Sequence, residues 1–359
     1  MEENLPATGS EPPVESEENS SVRICSNCSR PAMEEDHPTL LCTECREHFT
    51  RFPVPLWIKA FAGGIGILLL FSLFTLPGNL GLGIRLERAK RAEEQHKYHT
   101  AERELKKVLE KTPDNIEAEG HLLISSFYNQ DFETFTDQVK KLEHANVEDK
   151  ELFARIESVM NKANVYVSND SFENFFTTRH IPLPQVPDSA WDSYFRNNPQ
   201  DDYAAITFAG LLFKREKYLR CDSILQTVLS RDRECYPALI LEVSVKREEG
   251  DLDGAMTCAR RLLAINKESA FGQASEVRTL LRQKKDKQAL DLALQWYRQQ
   301  DDENMYMLST MILAFHFNGR TGDRDELIKK ARAQAKDSIS IDQMQYALDV
   351  IAKKEKFRD

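Results

Sequence analysis

The sequence predicts an all-α protein: a solenoid of helical hairpins, preceded by a single transmembrane helix and a small four-cysteine finger. Three observations predict it. After residue 82, apolar residues recur at three- and four-residue spacing among Ala, Leu, Glu, Lys, Arg and Gln, with no alternating strand pattern. Small and apolar residues then repeat at a fixed step of 34. Upstream, Leu56–Leu76 is an apolar run interrupted by one charge, Lys59.

The elements follow in chain order. The 359 residues carry 58 acidic and 48 basic side chains, a formal charge of −10. Residues 1–22 hold Glu2, Glu3, Glu11, Glu15, Glu17 and Glu18 beside Pro6, Pro12 and Pro13, with few large apolar groups. Such a segment cannot offset the entropy of ordering and reads as a disordered acidic tail. Without it the chain is nearly balanced in charge, which gives no basic footprint for nucleic acid.

Residues 23–50 contain Cys25-Ser-Asn-Cys28 and Cys42-Thr-Glu-Cys45. Each pair can present two thiolates to one ion, and two such pairs complete the tetrahedral set that zinc prefers. Two disulfides, a redox pair or an iron–sulfur cluster are the competing readings; a redox motif would need a strand–helix context that is absent. His37 and His48 lie close by in sequence and are left out of the ligand set. A four-thiolate site has no open position, so a structural role is expected. The segment resembles zinc ribbons and related treble-clef or B-box-like fingers.

Leu56–Leu76 is expected to cross a bilayer as one helix, with Lys59 snorkelling to the headgroups and Pro77-Gly78-Asn79 ending it. It begins too far from residue 1 for a signal peptide. The resulting expectation is a single-pass membrane protein contacting lipid. Thiolates favour a cytoplasmic finger with the repeats on the opposite side. Arg85, Arg88, Lys90 and Arg91 argue the other way.

Stepping by 34 gives Cys221, Ala255, Ala289 and Asp323, then Leu225, Ala259, Ala293 and Leu327, and in the preceding helix Ala209, Val243, Val277 and Met311. Two antiparallel helices approach closely only where neither carries bulk, and hairpins that cannot cover their own apolar faces stack. This register, with the Gly250-Asp-Leu-Asp-Gly-Ala255 turn, resembles the tetratricopeptide repeat (TPR) family. An earlier copy places Ala89, Tyr98, Ala101, Leu105, Val108 and Pro113 correspondingly. Repeats are therefore expected at 82–149 and 202–337. Residues 150–201 read as a degenerate repeat with a Pro-rich loop (Ile181–Pro187), where Asp188 or Ser189 caps the next helix. Residues 338–359 read as a capping helix.

The resemblance implies a membrane-anchored scaffold that docks a protein or peptide partner. Its groove would be lined by Ile206, Phe213, Ile240, Ser244, Arg247, Arg278, Leu281 and Arg282. Ile206, Gly210, Ile240 and Ser244 stand where chaperone-binding members clamp a carboxylate, so that ligand is not expected. A self-associating structural subunit of a membrane complex, a homo-oligomer, is the alternative. No phosphate loop, zinc-protease motif or nucleophile elbow occurs, and no catalysis is expected. Cys221, Cys235 and Cys258 read as compact packing residues.

Overall fold

A computed structural model describes residues 24–31, 38–51, 54–176, 181–298 and 304–358, the side chains of 72–79 excepted. The expected disordered tail and His37 lie outside the described residues. Met1–Pro77 and Gly78–Asp359 form two compact units.

In the first unit, Ile24 and Pro31 pair as an isolated antiparallel bridge, and α1 covers Thr43–Thr50. Helix α2 runs from Leu56 to Glu94. This corrects the expected membrane span. Among the described residues no helix is long and apolar enough to cross a membrane. Nor does the helix stop at Pro77-Gly78-Asn79; it continues into the charged Arg85–Glu94 segment. The single-pass localisation, the bilayer contact and the assignment of finger and repeats to opposite sides fall with it.

The second unit is built from antiparallel helix pairs. The end of α2 leads to α3 (Tyr98–Leu109), then α4 (Ile116–Asn129) and α5 (Phe132–Leu142). After the 150–201 segment come α9 (Asp202–Lys214) with α10 (Tyr218–Arg231), and α11 (Tyr236–Glu249) with α12 (Leu252–Ile265). They are followed by α13 (Ala270–Arg282) with α14 (Asp286–Tyr297), and α15 (Met305–Phe317) with α16 (Thr321–Gln334). First helices of successive pairs also pack on one another, and α17 (Ser338–Ile351) takes the next such place, against α15. The expected close-contact positions are filled as the register requires: Ala209, Val243, Val277, Cys221, Ala255 and Ala289 are all fully buried. The last pair begins one residue late, at Met305 and Thr321, so Asp323 sits half-exposed at the turn, paired with Arg320 at 2.7 Å.

The turn inside each pair needs one left-handed residue, and these fall at His96, Gln130, Glu216, Gly250, Lys284 and Gly319. Only two are glycine. A side chain in that conformation costs about 1 kcal/mol. Lys284 is exposed (φ 60°), and its backbone N–H and that of Lys285 close the helix end onto Leu281 and Leu280. Lys284→Gly should therefore stabilise the protein by about 1 kcal/mol. Urea titration checks this, and an unchanged midpoint would show the turn to be unstrained.

Residues 150–201 are mostly helical, with α6 (Lys150–Ala163), α7 (Asp170–Phe176), α8 (Asp188–Asn197) and single turns at Asn164–Tyr166 and Leu183–Gln185. Phe172, Phe176, Trp191 and Tyr194 join the core of α9–α12. The Pro-rich loop is fastened down. Arg215 donates to the carbonyls of Pro184 (2.9 Å) and Val186 (3.0 Å), and Asp188 pairs with Arg215, Lys217 and Arg220. Asp188 thus holds cations instead of capping α8, which has no side-chain cap.

Early and late pairs meet directly. Lys267 N–H donates to the His96 carbonyl (2.8 Å), Glu268 accepts from Thr100 N (2.8 Å) and Oγ1 (2.6 Å), and Asn266 donates to the Tyr128 carbonyl (3.2 Å).

Candidate functional site

Two places carry chemistry beyond packing. The first is the cysteine cluster. The Sγ atoms of Cys25, Cys28, Cys42 and Cys45 all lie within 4.8 Å of one another. None is in a disulfide, and Cys28 and Cys42 approach to 3.5 Å. A zinc ion with ~2.3 Å bonds to four sulfurs spaces them by about 3.8 Å, so the cage has the right size. The first pair sits on a tight turn: Cys25 N–H donates to Arg30 O, Ser29 N–H to Cys25 O (2.9 Å), and Ser29 takes φ 62°. The second pair opens α1, with Cys42 at the N-cap. Ser26 ties the two halves together through Leu40 O, as does the Arg30–Glu44 pair at 3.0 Å.

The thiols are electrostatically split. Backbone N–H groups, that of Cys42 foremost and then Asn27 and Cys28, lower Cys25 to about 6. At Cys28 the Arg30 N–H pulls downward too, but the Cys42 thiol, burial and the thiols of Cys45 and Cys25 outweigh it and push Cys28 up to about 12. Four sulfurs this close cannot all ionise without a cation among them. Asn27 Nδ2 already donates to Cys45 Sγ at 3.3 Å.

The other three cysteines differ. Cys221, Cys235 and Cys258 are buried, and burial pushes Cys221 and Cys235 up to about 12 and raises Cys258. Cys221 Sγ donates to Ala209 O at 3.1 Å. They are poor nucleophiles.

The second place is the face expected to bind a partner, and the structure divides it. Ile206, Phe213, Ile240 and Ser244 are partly exposed on α9 and α11. Between Ile206 and Phe213, a Cβ added to Gly210 would meet nothing within 4 Å. The rest turns inward. Leu281 is core, Arg278 is 6% exposed and Arg247 8%. Arg282 is partly exposed, paired with Glu248 and 5.4 Å from the centre of the Phe357 ring. What covers them comes from α15, α17 and the chain after α17: Tyr306, Tyr346 and Phe357.

Tyr306 and Tyr346 were not identified from the sequence as site residues. One signal was available for Tyr306: Tyr203, Pro237, Phe271 and Tyr306 each occupy the second position of their helix. The extra residue before α15 hides it from a step of 34.

No protein-family model matches this sequence, and no curated protein matches it. Among solved structures it is similar to a tetratricopeptide repeat protein from Parabacteroides merdae, at 9% identity over 74% of this chain and 98% of that one, TM-score 0.38. It is also similar to yeast Tom70, at 13% identity over 72% and 63% of the two chains, TM-score 0.35. A third similarity is to the P58(IPK) TPR domain, at 13% over 87% and 99%, TM-score 0.22. Likenesses this distant decide neither family nor function.

Proposed function

We propose that this protein is a non-catalytic docking scaffold. The repeats capture a partner protein through the open α9–α11 stripe, and the finger is a structural module held by zinc on Cys25, Cys28, Cys42 and Cys45. The observation that carries the docking reading is the vacancy over Gly210, flanked by the partly exposed Ile206 and Phe213 and, on the next first helix, Ile240 and Ser244. Apolar groups lining an unfilled stripe on successive first helices offer area that a partner side chain can desolvate. Arg282, with one side still exposed, would stand at the edge of this face. Arg247, Arg278 and Leu281 support it from within. A closed set of four thiolates supplies folding energy and no reactive position, which favours the structural role for the metal.

The test uses two substitutions at one place. Gly210→Ala should leave partner capture intact and stabilise α9 by roughly 0.5–1 kcal/mol, since glycine within a helix costs that much. Gly210→Trp fills the vacancy and should reduce partner recovery at least about tenfold, equivalent to ~1.4 kcal/mol. Quantitative crosslinking and mass spectrometry on the intact chain reads both. Equal recovery by Gly210→Trp and the parent would remove this stripe from the interaction. If the species lost were a second copy of the chain, with light scattering falling from dimer to monomer, the partner would be the protein itself.

A further inference from the structure

Two buried arginines meet at one tyrosine. Arg278 of α13 donates from Nε to Thr310 Oγ1 (2.7 Å) and from Nη2 to Ser309 Oγ (2.8 Å), and its guanidinium lies 4.1 Å from the centre of the Tyr306 ring. Arg247 of α11 donates from Nη2 to Tyr306 Oη (3.3 Å) and to Ser244 Oγ (3.1 Å). Among the described residues neither arginine forms an ion pair, and Glu248, beside Arg247 in sequence, is taken by Arg282 of α13. Of the other helices packed on α15, α17 presents Tyr346, whose phenol is raised by burial, while α14 and α16 carry Tyr297 and Lys330, bonded to each other (2.9 Å).

Burying two like charges is costly unless something negative compensates them. Ser309 and Thr310 already donate to the Tyr306 carbonyl and offer Arg278 only neutral lone pairs. Tyr306 is the one group in contact with both arginines that can carry a negative charge, and it is half-buried, which leaves the proton a route out. We propose that Tyr306 stands as a phenolate at neutral pH, the shared counter-ion of Arg247 and Arg278, and that taking up a proton there loosens the C-terminal end of the solenoid. The place gives the charge its leverage. The apolar core around α9–α12 is separate from that of α13–α17, and the Arg247–Tyr306 bond crosses from one to the other. The local field agrees: burial alone would raise Tyr306, but Arg278 and then Arg247 outweigh it and hold it down to about 7. A tyrosine in the unfolded chain titrates near pH ~10. The stability that the phenolate contributes is therefore complete above pH ~10, declines below that, and is lost as pH falls through about 7. Glu242 of α11, raised to about 8 by burial and then by Asp222, titrates in the same range with the opposite sign. A comparison between the parent and a Tyr306 variant cancels it.

The test reads the charge and its consequence separately, and neither depends on partner capture. The intact chain is titrated from about pH 6 to about pH 8 at constant ionic strength. Near-ultraviolet phenolate absorbance should rise by the equivalent of one of the ten tyrosines, and Tyr306→Phe should abolish the rise. Over the same interval the unfolding equilibrium constant, from urea titrations, should fall about tenfold more in the parent than in Tyr306→Phe. Arg247→Gln removes one of the two cations and should move the phenol's midpoint upward by about one pH unit. Should Tyr306→Phe fail to fold, the absorbance of the parent and of Arg247→Gln carries the test. A parent that gains no phenolate absorbance in this interval, an equal gain in Tyr306→Phe, a stability that follows pH identically in the two proteins, or a midpoint unmoved in Arg247→Gln would each overturn the proposal.

Discussion

Removing the metal from the intact chain is expected to convert four protected thiols into four reactive ones. In the finger, Cys25 and Cys42 are the only buried apolar side chains among the described residues, and α1 buries none. An eight-residue helix is too short to persist on its own. The proposed zinc would then supply nearly all of the finger's folding free energy, on the order of 10 kcal/mol for comparable structural zinc sites. Alkylation followed by mass spectrometry reads the outcome. With metal present, no label should enter rapidly; after chelation, Cys25, Cys28, Cys42 and Cys45 should all be labelled. The discriminating residue is Cys28, which is solvent-exposed, so a gain in its labelling on chelation reports release of the metal. Cys221, Cys235 and Cys258 serve as an internal reference and should stay unlabelled throughout, being buried with raised thiol pKa values. Labelling of Cys28 at one rate before and after chelation would remove zinc from the account. Purification without stoichiometric metal would do the same.

How much of this was legible in sequence depends on the range of the interaction. The hairpin repeat was legible because close approach needs small side chains at one point per turn, and Cys221, Ala255 and Ala289 announce it locally. The cysteine cage was legible because the ligands' spacing is itself the signal. The inward half of the expected face was not. A register says which side of a helix a residue occupies, but not what arrives to cover it. Arg247 meets a tyrosine 59 positions away and Arg278 a hydroxyl 32 away, on helices whose placement depends on a one-residue insertion. The left-handed turns were half legible: Gly250 and Gly319 mark two, while His96, Gln130, Glu216 and Lys284 adopt the same conformation without a glycine to show it. At α2 the apolar run Leu56–Leu76 predicted a span, whereas among the described residues no helix is long and apolar enough to cross a membrane.

Trp191→Ala should produce the largest loss of any single substitution in the helical unit, about 4 kcal/mol. The indole is fully buried and stacks on Phe208 at 4.9 Å with 9° between planes, with Phe176 at 4.3 Å on another side. Aromatic pairs of this geometry add to the area they bury, and the space left by truncation cannot collapse where neighbours are also rings. At roughly 2–4 °C per kcal/mol for a unit of this size, the thermal midpoint should fall by about 10 °C. Trp191→Phe should cost less than half as much. It keeps a ring on Phe208 and removes an indole N–H that is buried without a partner. Calorimetry on both variants decides whether 150–201 is integral: a loss under about 1 kcal/mol in Trp191→Ala would make the segment an appendage. The consequence reaches the docking face. Phe208 lies on α9 between Trp191 and the guanidinium of Arg220 at 5.1 Å, and the same helix carries Ile206, Gly210 and Phe213. Loosening that clamp lets α9 shift, so Trp191→Ala should weaken partner capture at temperatures where the fold is still intact, while Trp191→Phe should not.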